Sequence, residues 1–199
     1  VTSFRVSKST MGMAGCYSAI STPGTYDFSC DDSTTYMQVK VASVSQTVGV
    51  SVERHNYQPF NIGFAGDIYC GILPMRWVIR VDDTTKISAQ ASLNIASMGS
   101  IEAPENIKLL YRITEGQGTF KELKSTYSSS MKRFELPQLS PGEYMLAYQE
   151  CIEPIPTMPA NASVEVSLAP ILAWKAAAVA EAYNVEISES ADFSDARRI

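Results

Sequence analysis

The sequence predicts an all-β fold, an antiparallel β-sandwich that is followed by the beginning of a second β module. Apolar and polar residues alternate with a period of two through much of residues 24–149, which is the pattern of strands with one buried face. Turn residues recur about every 8 to 12 residues, and helical spacing is nearly absent. Because parallel strands need long crossover connections, usually helices, we expect the strands to be antiparallel.

The first strands are predicted from two runs of alternation. Met37, Val39 and Val41 alternate with polar residues, and residues 48–52 place a valine at every second position. In a strand, this spacing puts the apolar side chains on one face and the polar ones on the other. We therefore expect two neighbouring strands that each bury one face.

The remaining strands of the sandwich follow from the same alternation. We expect them at residues 75–81, 87–95, 107–113, around 120, at 134–136 and at 144–148. The Gly-containing sequence at 115–118 predicts the turn that leads into the short strand around Phe120. Together these runs predict at least eight strands between Gly24 and Gln149.

Composition excludes several classes of function. The chain has 199 residues, 45% of them hydrophobic and 19% charged, with a formal net charge of −5 and a pI near 4.9. It should therefore fold, but it has no basic stripe to bind nucleic acid and no electrostatic attraction to an anionic membrane. The longest apolar tract, residues 168–180, contains Lys175 and has about half the length of a transmembrane helix. We expect no nucleic-acid partner and no transmembrane segment.

Catalytic and metal chemistry has few candidate residues. His55 is the only histidine, and it lies two residues after Glu53, so a Glu–His acid–base pair is one interpretation. The favoured interpretation is a solvent-exposed loop histidine, because no nucleophile or second base lies nearby in the sequence. Asp31-Asp32 and Asp82-Asp83 do not fit the spacing of an EF-hand loop, so we interpret them as turn carboxylates. We predict no catalytic residue, no metal site and no cofactor.

The four cysteines favour disulfides over a metal site. Cys16, Cys30, Cys70 and Cys151 show no Cys-x-x-Cys spacing, and almost no histidine is present to complete a zinc site. Their even number would allow two disulfides in an oxidising extracellular setting. Four cysteines can form two disulfides in three ways, and the alternative is four independent buried thiols. We favour Cys16–Cys30, which encloses a short loop, and Cys70–Cys151, because the start of one antiparallel strand meets the end of its neighbour.

Changes in composition divide the chain into four parts. Residues 1–22 are irregular and are interpreted as the end of an upstream module or a linker, and residues 23–150 form the sandwich. Residues 151–166 contain three prolines and are predicted to be a stiff linker. Residues 167–199 restart the strand pattern and stop at Ile199, so we interpret the chain as a piece of a longer protein.

The restart is expected to contain two strands joined by an alanine-rich loop. Propensity favours a helix over residues 175–182, but the flanks are β-rich and a helix of about eight residues is marginal alone. Trp174, Tyr183, Val185 and Ile187 are expected to face inward. Trp77 lies on the apolar phase of its own strand, so both tryptophans are predicted in a core rather than in a sugar-stacking platform.

Several short motifs follow one another along the sandwich. They are Gly24-Thr25-Tyr26-Asp27-Phe28, the valine run at 48–52, Leu73-Pro74-Met75-Arg76-Trp77, Leu110-Tyr111-Arg112, the turn at 115–120, and Pro141-Gly142-Glu143-Tyr144. In this order they resemble a β-sandwich module of large secreted and surface proteins of the Bacteroidetes, Chlorobi and Ignavibacteria group. The resemblance covers well over half the chain and implies an Ig-like sandwich with an extracellular or cell-surface location.

A second set of motifs marks the restart. Pro170-Ile171-Leu172-Ala173-Trp174, residues 183–188 and Asp192-Phe193-Ser194 resemble the opening strands of a bacterial fibronectin type III module. This resemblance implies a partial fibronectin type III-like module over residues 167–199. In addition, Asp32-Ser33-Thr34 and Asp83-Thr84-Thr85 look like O-glycosylation acceptor sites of the Bacteroidetes, which implies Ser33 and Thr84 as candidate acceptors.

The predicted function is a non-catalytic structural or adhesive module of a large bacterial surface or secreted protein. Its expected partners are neighbouring modules of the same parent protein or other chains of a surface assembly. The alternative is an accessory carbohydrate-binding module of a secreted hydrolase, which an exposed aromatic strip across one sheet would favour. A carboxylate-based enzyme would need two acidic groups about 5 to 10 Å apart in a cleft, and nothing in the sequence requires them.

Overall fold

In a computed structural model, the chain consists of two compact units, Val1–Cys151 and Ile152–Ile199. The residues that the structure describes are 3–6, 15–29, 35–55, 59, 61–64, 69–98, 101, 104–149, 154–160, 163–164, 169–175, 182–188, 190, 192, 194 and 197–198. Their regular structure is almost entirely β, which confirms the predicted all-β class. No helix in these ranges is long and apolar enough to cross a membrane.

The described part of the first unit contains twelve strands. In chain order they are β1 (Ser3–Val6), β2 (Gly15–Ile20), β3 (Gly24–Ser29), β4 (Thr35–Val44), β5 (Val48–His55), β6 (Gly71–Val81), β7 (Ile87–Asn94), β8 (Ile107–Arg112), β9 (Lys121–Glu122), β10 (Thr126–Ser128), β11 (Arg133–Leu136) and β12 (Gly142–Tyr148). Short 3₁₀ helices lie at Thr84–Lys86, Ala96–Met98 and Pro104–Asn106. Ten of the strands lie between Gly24 and Gln149, which confirms the prediction of at least eight.

The strands form two six-stranded sheets. Sheet A has the order β1-β3-β4-β7-β11-β10, and sheet B has the order β2-β5-β6-β12-β8-β9. All pairs within them are antiparallel except β1–β3, which is parallel. Each sheet buries one alternating set of apolar residues, and these sets form the core of a β-sandwich.

The core confirms the strand phases that the sequence predicts, except at Ile113, which follows β8 and is 77% exposed. From sheet A it takes, among others, Phe28, Met37, Val39, Leu93 and Phe134, and from sheet B Val50, Val52, Trp77, Ile79, Leu109, Tyr144 and Leu146. Trp77 is 0% exposed, as expected for the middle of a buried strand. Burial on one face of each strand is what period-two alternation requires.

The outer faces of the two sheets differ. On sheet A the outer face is polar, and Gln38 of β4 donates to Asp27 on the neighbouring strand β3 at 2.6 Å. On sheet B it is covered, so that every residue of β12 is buried. Met145, Ala147 and Leu110 pack there against Phe120 and against partly buried residues before and at the start of β6. The backbone N–H of Phe120 also donates to Gly63 at 2.7 Å, so two loop segments lie over this face.

The described parts of residues 1–22 are neither a linker nor the end of an upstream module, contrary to the sequence-based interpretation. β1 pairs with β3 in sheet A, and β2 pairs with β5 in sheet B, so both belong to the sandwich. In β2 the inward positions include Cys16 and Ile20, which are buried, while Tyr17 between them is exposed. This strand was missed because its residues are mostly small or polar and carry little of the β-branched signal.

The second unit contains two pairs of short antiparallel strands in its described part. β13 (Ile155–Met158) pairs with β14 (Ala173–Lys175), and β15 (Glu186–Ile187) pairs with β16 (Arg197–Arg198). The predicted linker therefore contains a strand at Ile155–Met158, with Pro156 opposite Trp174. A proline is tolerated here because a two-stranded ribbon consists only of edge strands. The alanine run at 176–181 lies outside the described residues.

The predicted inward orientation of two side chains in this unit is wrong. Trp174 is 36% exposed and Ile187 is 46% exposed, whereas Tyr183 and Val185 are half-buried. Two-stranded ribbons supply no second layer against which a full apolar face can pack. The ring of Trp174 instead meets that of Tyr183 edge-on, with centroids 5.4 Å apart.

Candidate functional site

The most distinctive chemistry of the first unit is a set of charged residues on the covered face of sheet B. We call it the arginine–glutamate network. Its members are Arg76, Arg80, Arg112, Glu53, Glu115 and Glu143. Arg112 and Glu143 contact backbone atoms of the covering loops, so this part of the network lies between sheet B and those loops.

Strand register brings most of the network together. Glu53, Val78, Glu143 and Arg112 lie opposite one another on four consecutive strands, β5, β6, β12 and β8. Residues that are directly opposite in antiparallel strands point to the same face. Arg76 and Arg80 share this face, because each lies two residues from Val78 along β6. Only Glu115 comes from outside the strands.

Glu143 is the centre of the network. Its side chain is 0% exposed, and both of its oxygens accept hydrogen bonds. Nη1 of Arg76 lies 2.6 Å from Oε1, while Nε and Nη2 of Arg112 lie 2.7 and 2.6 Å from Oε2. The backbone N–H of Gly116 also donates to Oε2 at 3.0 Å. A buried carboxylate held in this way is stable only because the surrounding donors replace the water that it lost.

The surroundings lower the pKa of Glu143. Burial alone would raise it, but the hydrogen bonds from Gly116, Arg76 and Arg112 and the charge of Arg112 together outweigh burial. The pKa therefore lies below its ordinary value of 4.5, and the carboxylate is ionised in the folded protein at neutral pH. Glu143 is thus suited to holding cations rather than to donating a proton.

We predict that stability decreases in acid because of Glu143. Its pKa is lower in the folded than in the unfolded chain, so the ionised carboxylate stabilises the fold above its unfolded pKa, and this stabilisation is lost as the pH falls through the folded pKa. Denaturant melts from about pH 7 to about pH 3 should show this decrease. In Glu143→Gln, which does not titrate, the decrease should be shallower; equal slopes in both proteins would contradict the prediction.

Arg112 ties both covering segments to the sheet. Its Nη1 donates to the backbone oxygens of Asn61 and Gly118, at 2.8 and 3.3 Å. Its guanidinium also lies over the ring of Phe120, 4.3 Å from the ring centroid, which is the geometry of a cation–π contact. Asn61 in turn donates to the backbone oxygen of Gly116 at 3.2 Å. One buried arginine therefore positions the two loop segments.

The exposed end of the network is formed by Arg80, Glu53 and Glu115. Glu115 bridges two arginines, with Oε1 3.0 Å from Arg76 and Oε2 2.9 Å from Arg80. Arg80 also donates to Glu53, whose other oxygen lies 3.3 Å from Nε2 of His55. Glu115 and Arg80 are 37% and 46% exposed, so the network reaches the surface at this end.

His55 is not the loop residue that the sequence suggested. It is the last residue of β5, opposite Arg76, and its side chain is 16% exposed. Glu53 and His55 are in contact, as the less favoured interpretation would require, but Glu53 is shared with Arg80. The pair therefore extends the hydrogen bonds of the network to the end of β5.

Two of the four cysteines, Cys16 and Cys70, lie in the described part of the chain. Neither Cys16 nor Cys70 is a free thiol, and both are disulfide-bonded. Cys30 and Cys151 lie outside the described residues, so the pairing stays a prediction. The backbone N–H of Cys70 donates to Tyr148 at 2.9 Å, three residues before Cys151. Cys16 lies near the start of β2 and Cys30 follows β3 in the sequence, and these two strands lie in different sheets.

We predict the disulfides Cys16–Cys30 and Cys70–Cys151. The first would link the two sheets and close a short loop, which is worth about 3 kcal/mol in the chain-entropy model. The second would fasten the end of β12 to the start of β6. Peptide mapping without reduction should recover these two linked peptides. Recovery of Cys16 linked to Cys70, or of four free thiols, would be the contrary result.

The remaining candidate residues lie at turns or outside the described ranges. Asp82 accepts a hydrogen bond from the backbone of Gly49 at 3.1 Å, and Asp83 accepts one from that of Thr85 at 2.9 Å. The interpretation of this aspartate pair as turn carboxylates is therefore confirmed. Thr84 is exposed in the adjacent 3₁₀ helix. Asp31, Asp32 and Ser33 are not described, and the described residues contain no metal-binding cluster of His, Cys, Asp or Glu.

Sequence reasoning did not identify the network. Arg76, Arg112 and Glu143 occur within the motifs quoted above, but they occupy the polar phase of their strands, where solvent exposure is the ordinary expectation. The available signal was Met145 and Ala147, which place apolar side chains on that same face of β12. Comparisons with protein-family models, curated proteins and solved structures found no match to this chain.

Proposed function

We propose that the chain is a non-catalytic structural or adhesive module of a large bacterial protein that acts outside the cell or at its surface. The arginine–glutamate network carries this proposal. Its charged groups are paired with one another and with backbone atoms, and these contacts hold two loop segments against sheet B. Such buried and mutually paired groups favour a stiff unit over a catalytic site that exchanges protons.

The architecture supports an Ig-like version of the sandwich. The hydroxyl of Tyr144, near the start of β12, donates to the backbone oxygen of Ser140 at 2.7 Å. This contact has the form of the tyrosine corner found in Ig-like domains. The hydroxyl of Tyr111, on the neighbouring strand, donates to the backbone oxygen of Pro141 at 2.8 Å and so holds the same turn. The second unit is proposed to be the beginning of a fibronectin type III-like module, so that the protein would consist of β modules in series.

The partners proposed for this module are neighbouring modules of the parent protein or other chains of a surface assembly. The bonded sulfurs of Cys16 and Cys70 support an oxidising compartment. Thr84 is proposed as an O-glycosylation acceptor because it lies exposed at a turn. Ser33 stays a candidate on the sequence pattern alone.

Protease treatment of intact cells of the source organism tests the location. Peptides from residues 1–151 should be released, together with peptides from other modules of the same parent protein. The intact mass of the parent, measured with and without reduction, should report disulfides and any glycan on Thr84. Release of these peptides only after cell lysis would overturn the proposed location.

The carbohydrate-binding alternative is favoured by one observation. Trp174 and Tyr183 line a groove of about 450 Å³ in the second unit, together with the polar residues Asn184, Glu186 and Ser188. Exposed aromatic rings beside hydrogen-bonding groups are a common arrangement for sugar contacts. If this alternative holds, the chain should migrate more slowly in native gels that contain a neutral polysaccharide than in gels without it. Trp174→Ala should abolish this difference. Tyr17→Ala, which removes an exposed aromatic residue of the first unit, is the matched control.

A further inference from the structure

The strands of sheet B carry an excess of positive charge within the network. Arg76, Arg80 and Arg112 lie on β6 and β8, whereas only Glu53 and Glu143 lie on strands. The third carboxylate, that of Glu115, is supplied by the segment after β8. Without Glu115, the strand residues of the network would leave one guanidinium charge without a carboxylate to balance it.

Glu115 is an internal ligand of Arg76 and Arg80. Each of its oxygens contacts a different guanidinium, Oε1 that of Arg76 and Oε2 that of Arg80. Two guanidinium groups arranged around one carboxylate form a strong and directional anion site. Arg80 is 46% exposed, so this site can be reached from solvent if Glu115 leaves it.

Polar contacts alone hold the turn that carries Glu115. Residues 113–119 are exposed or half-buried, and Ile113 is 77% exposed. Gly116 and Gly118 adopt positive φ angles of 71° and 78°, and a Cβ atom at either would meet nothing within 4 Å. Because no buried apolar side chain anchors this turn between Arg112 and Phe120, it belongs to the segments that open most readily.

We propose that Arg76 and Arg80 form a binding site for a carboxylate of an acidic polypeptide segment, and that Glu115 occupies this site in the isolated chain. The group now in place is a glutamate side chain on an exposed turn, so an acidic peptide presents the same chemistry and reach. Opening of the turn exchanges the internal carboxylate for the external one. This inference goes beyond the proposed function and does not depend on it.

Competition explains why the site would bind weakly in the native chain. A group tethered by a short turn has an effective concentration of about millimolar or more at its own site. An external carboxylate must displace it, and its apparent affinity is reduced by the fraction of time that the site is open. Removal of the Glu115 carboxylate should therefore raise the affinity without any new contact.

The test is a titration of the full chain with the peptide acetyl-Glu-Glu-Glu-amide, followed by backbone amide NMR and calorimetry. Glu115→Gln should bind at least about tenfold more tightly than the native chain. Glu122→Gln is the matched control, because Glu122 is similarly exposed but pairs with Lys108 at 3.8 Å. It should bind like the native chain, and the corresponding Gln peptide should bind none of the proteins.

Two further variants separate this role from a structural one. Arg80→Gln in the Glu115→Gln chain should abolish the gain, because Arg80 supplies the exposed half of the site. If Glu115→Gln does not fold, Glu115→Asp is used instead, since its shorter side chain keeps the charge but does not span both arginines. Equal binding by the native and Glu115 variants, binding that ignores Arg80, or tighter binding of an oligouronate than of the peptide would overturn the proposal.

Discussion

Replacement of Glu143 by glutamine is expected to lower the free energy of unfolding of the first unit by about 3–5 kcal/mol. Glutamine has nearly the same shape, so the packing around β12 is retained. The substitution removes the charge that balances Arg76 and Arg112, whose side chains are 5% and 1% exposed. Arg76 keeps its contact with Glu115, but Arg112 loses the carboxylate that it contacts, and a buried guanidinium group that loses its counter-charge cannot regain the water that it lost on folding.

The measurement is a denaturant melt of Glu143→Gln beside the native chain. Glu135→Gln is the matched control: Glu135 pairs with Arg133 on the outer face of sheet A and is 41% exposed. An exposed pair of this kind contributes about 0–1 kcal/mol, so the control should be close to the native chain. A loss of less than about 1 kcal/mol in Glu143→Gln would contradict the central role of this carboxylate.

Truncation of Trp77 to alanine is expected to cost about 3–5 kcal/mol, a large part of the 5–15 kcal/mol typical of a domain. Trp77 is the largest of the fully buried side chains and lies on β6 opposite Tyr144. Its indole Nε1 has no hydrogen-bond acceptor among the described residues. The cost should therefore come from lost apolar packing and from the cavity, rather than from a broken hydrogen bond.

Trp77→Phe distinguishes packing from other causes. It keeps most of the ring volume and loses no hydrogen bond, so it should cost clearly less than Trp77→Ala in the same melts. His55→Ala provides an outer-face comparison. Its replacement should cost no more than about 1 kcal/mol, because His55 lies at the end of β5 and contacts one edge of the network, through Glu53. A nearly neutral Trp77→Ala would show that the core does not depend on this side chain.

The candidate site shows the limit of reasoning from strand patterns. Alternation correctly separates Trp77 and Tyr144 from Arg76 and Glu143, because it reports which side chains share a face. It does not report what lies over that face. Arg76 and Glu143 would be solvated on an uncovered sheet, and they are buried only because the segments around Gly63 and Phe120 pack over them.

The second unit shows the same limit in the opposite direction. Alternation around Trp174 and Ile187 predicts an apolar face, and these residues do lie in or beside short strands. They are exposed because two-stranded ribbons provide no second layer that would cover this face. Likewise, Ile155–Met158 was predicted to be a linker because prolines disfavour strands, yet an edge position makes Pro156 acceptable.

The sequence by itself determined the all-β class, the positions and phases of most strands, and the place of Trp77 in the core. These are local properties, since the period of apolar residues depends only on how successive side chains project from a strand. The tertiary structure decided which strands became neighbours, that β1 and β2 joined the sandwich, and that Glu115 came to lie between Arg76 and Arg80. Those outcomes depend on contacts between segments far apart in the chain, and no local pattern encodes the burial that turns separate charges into a network.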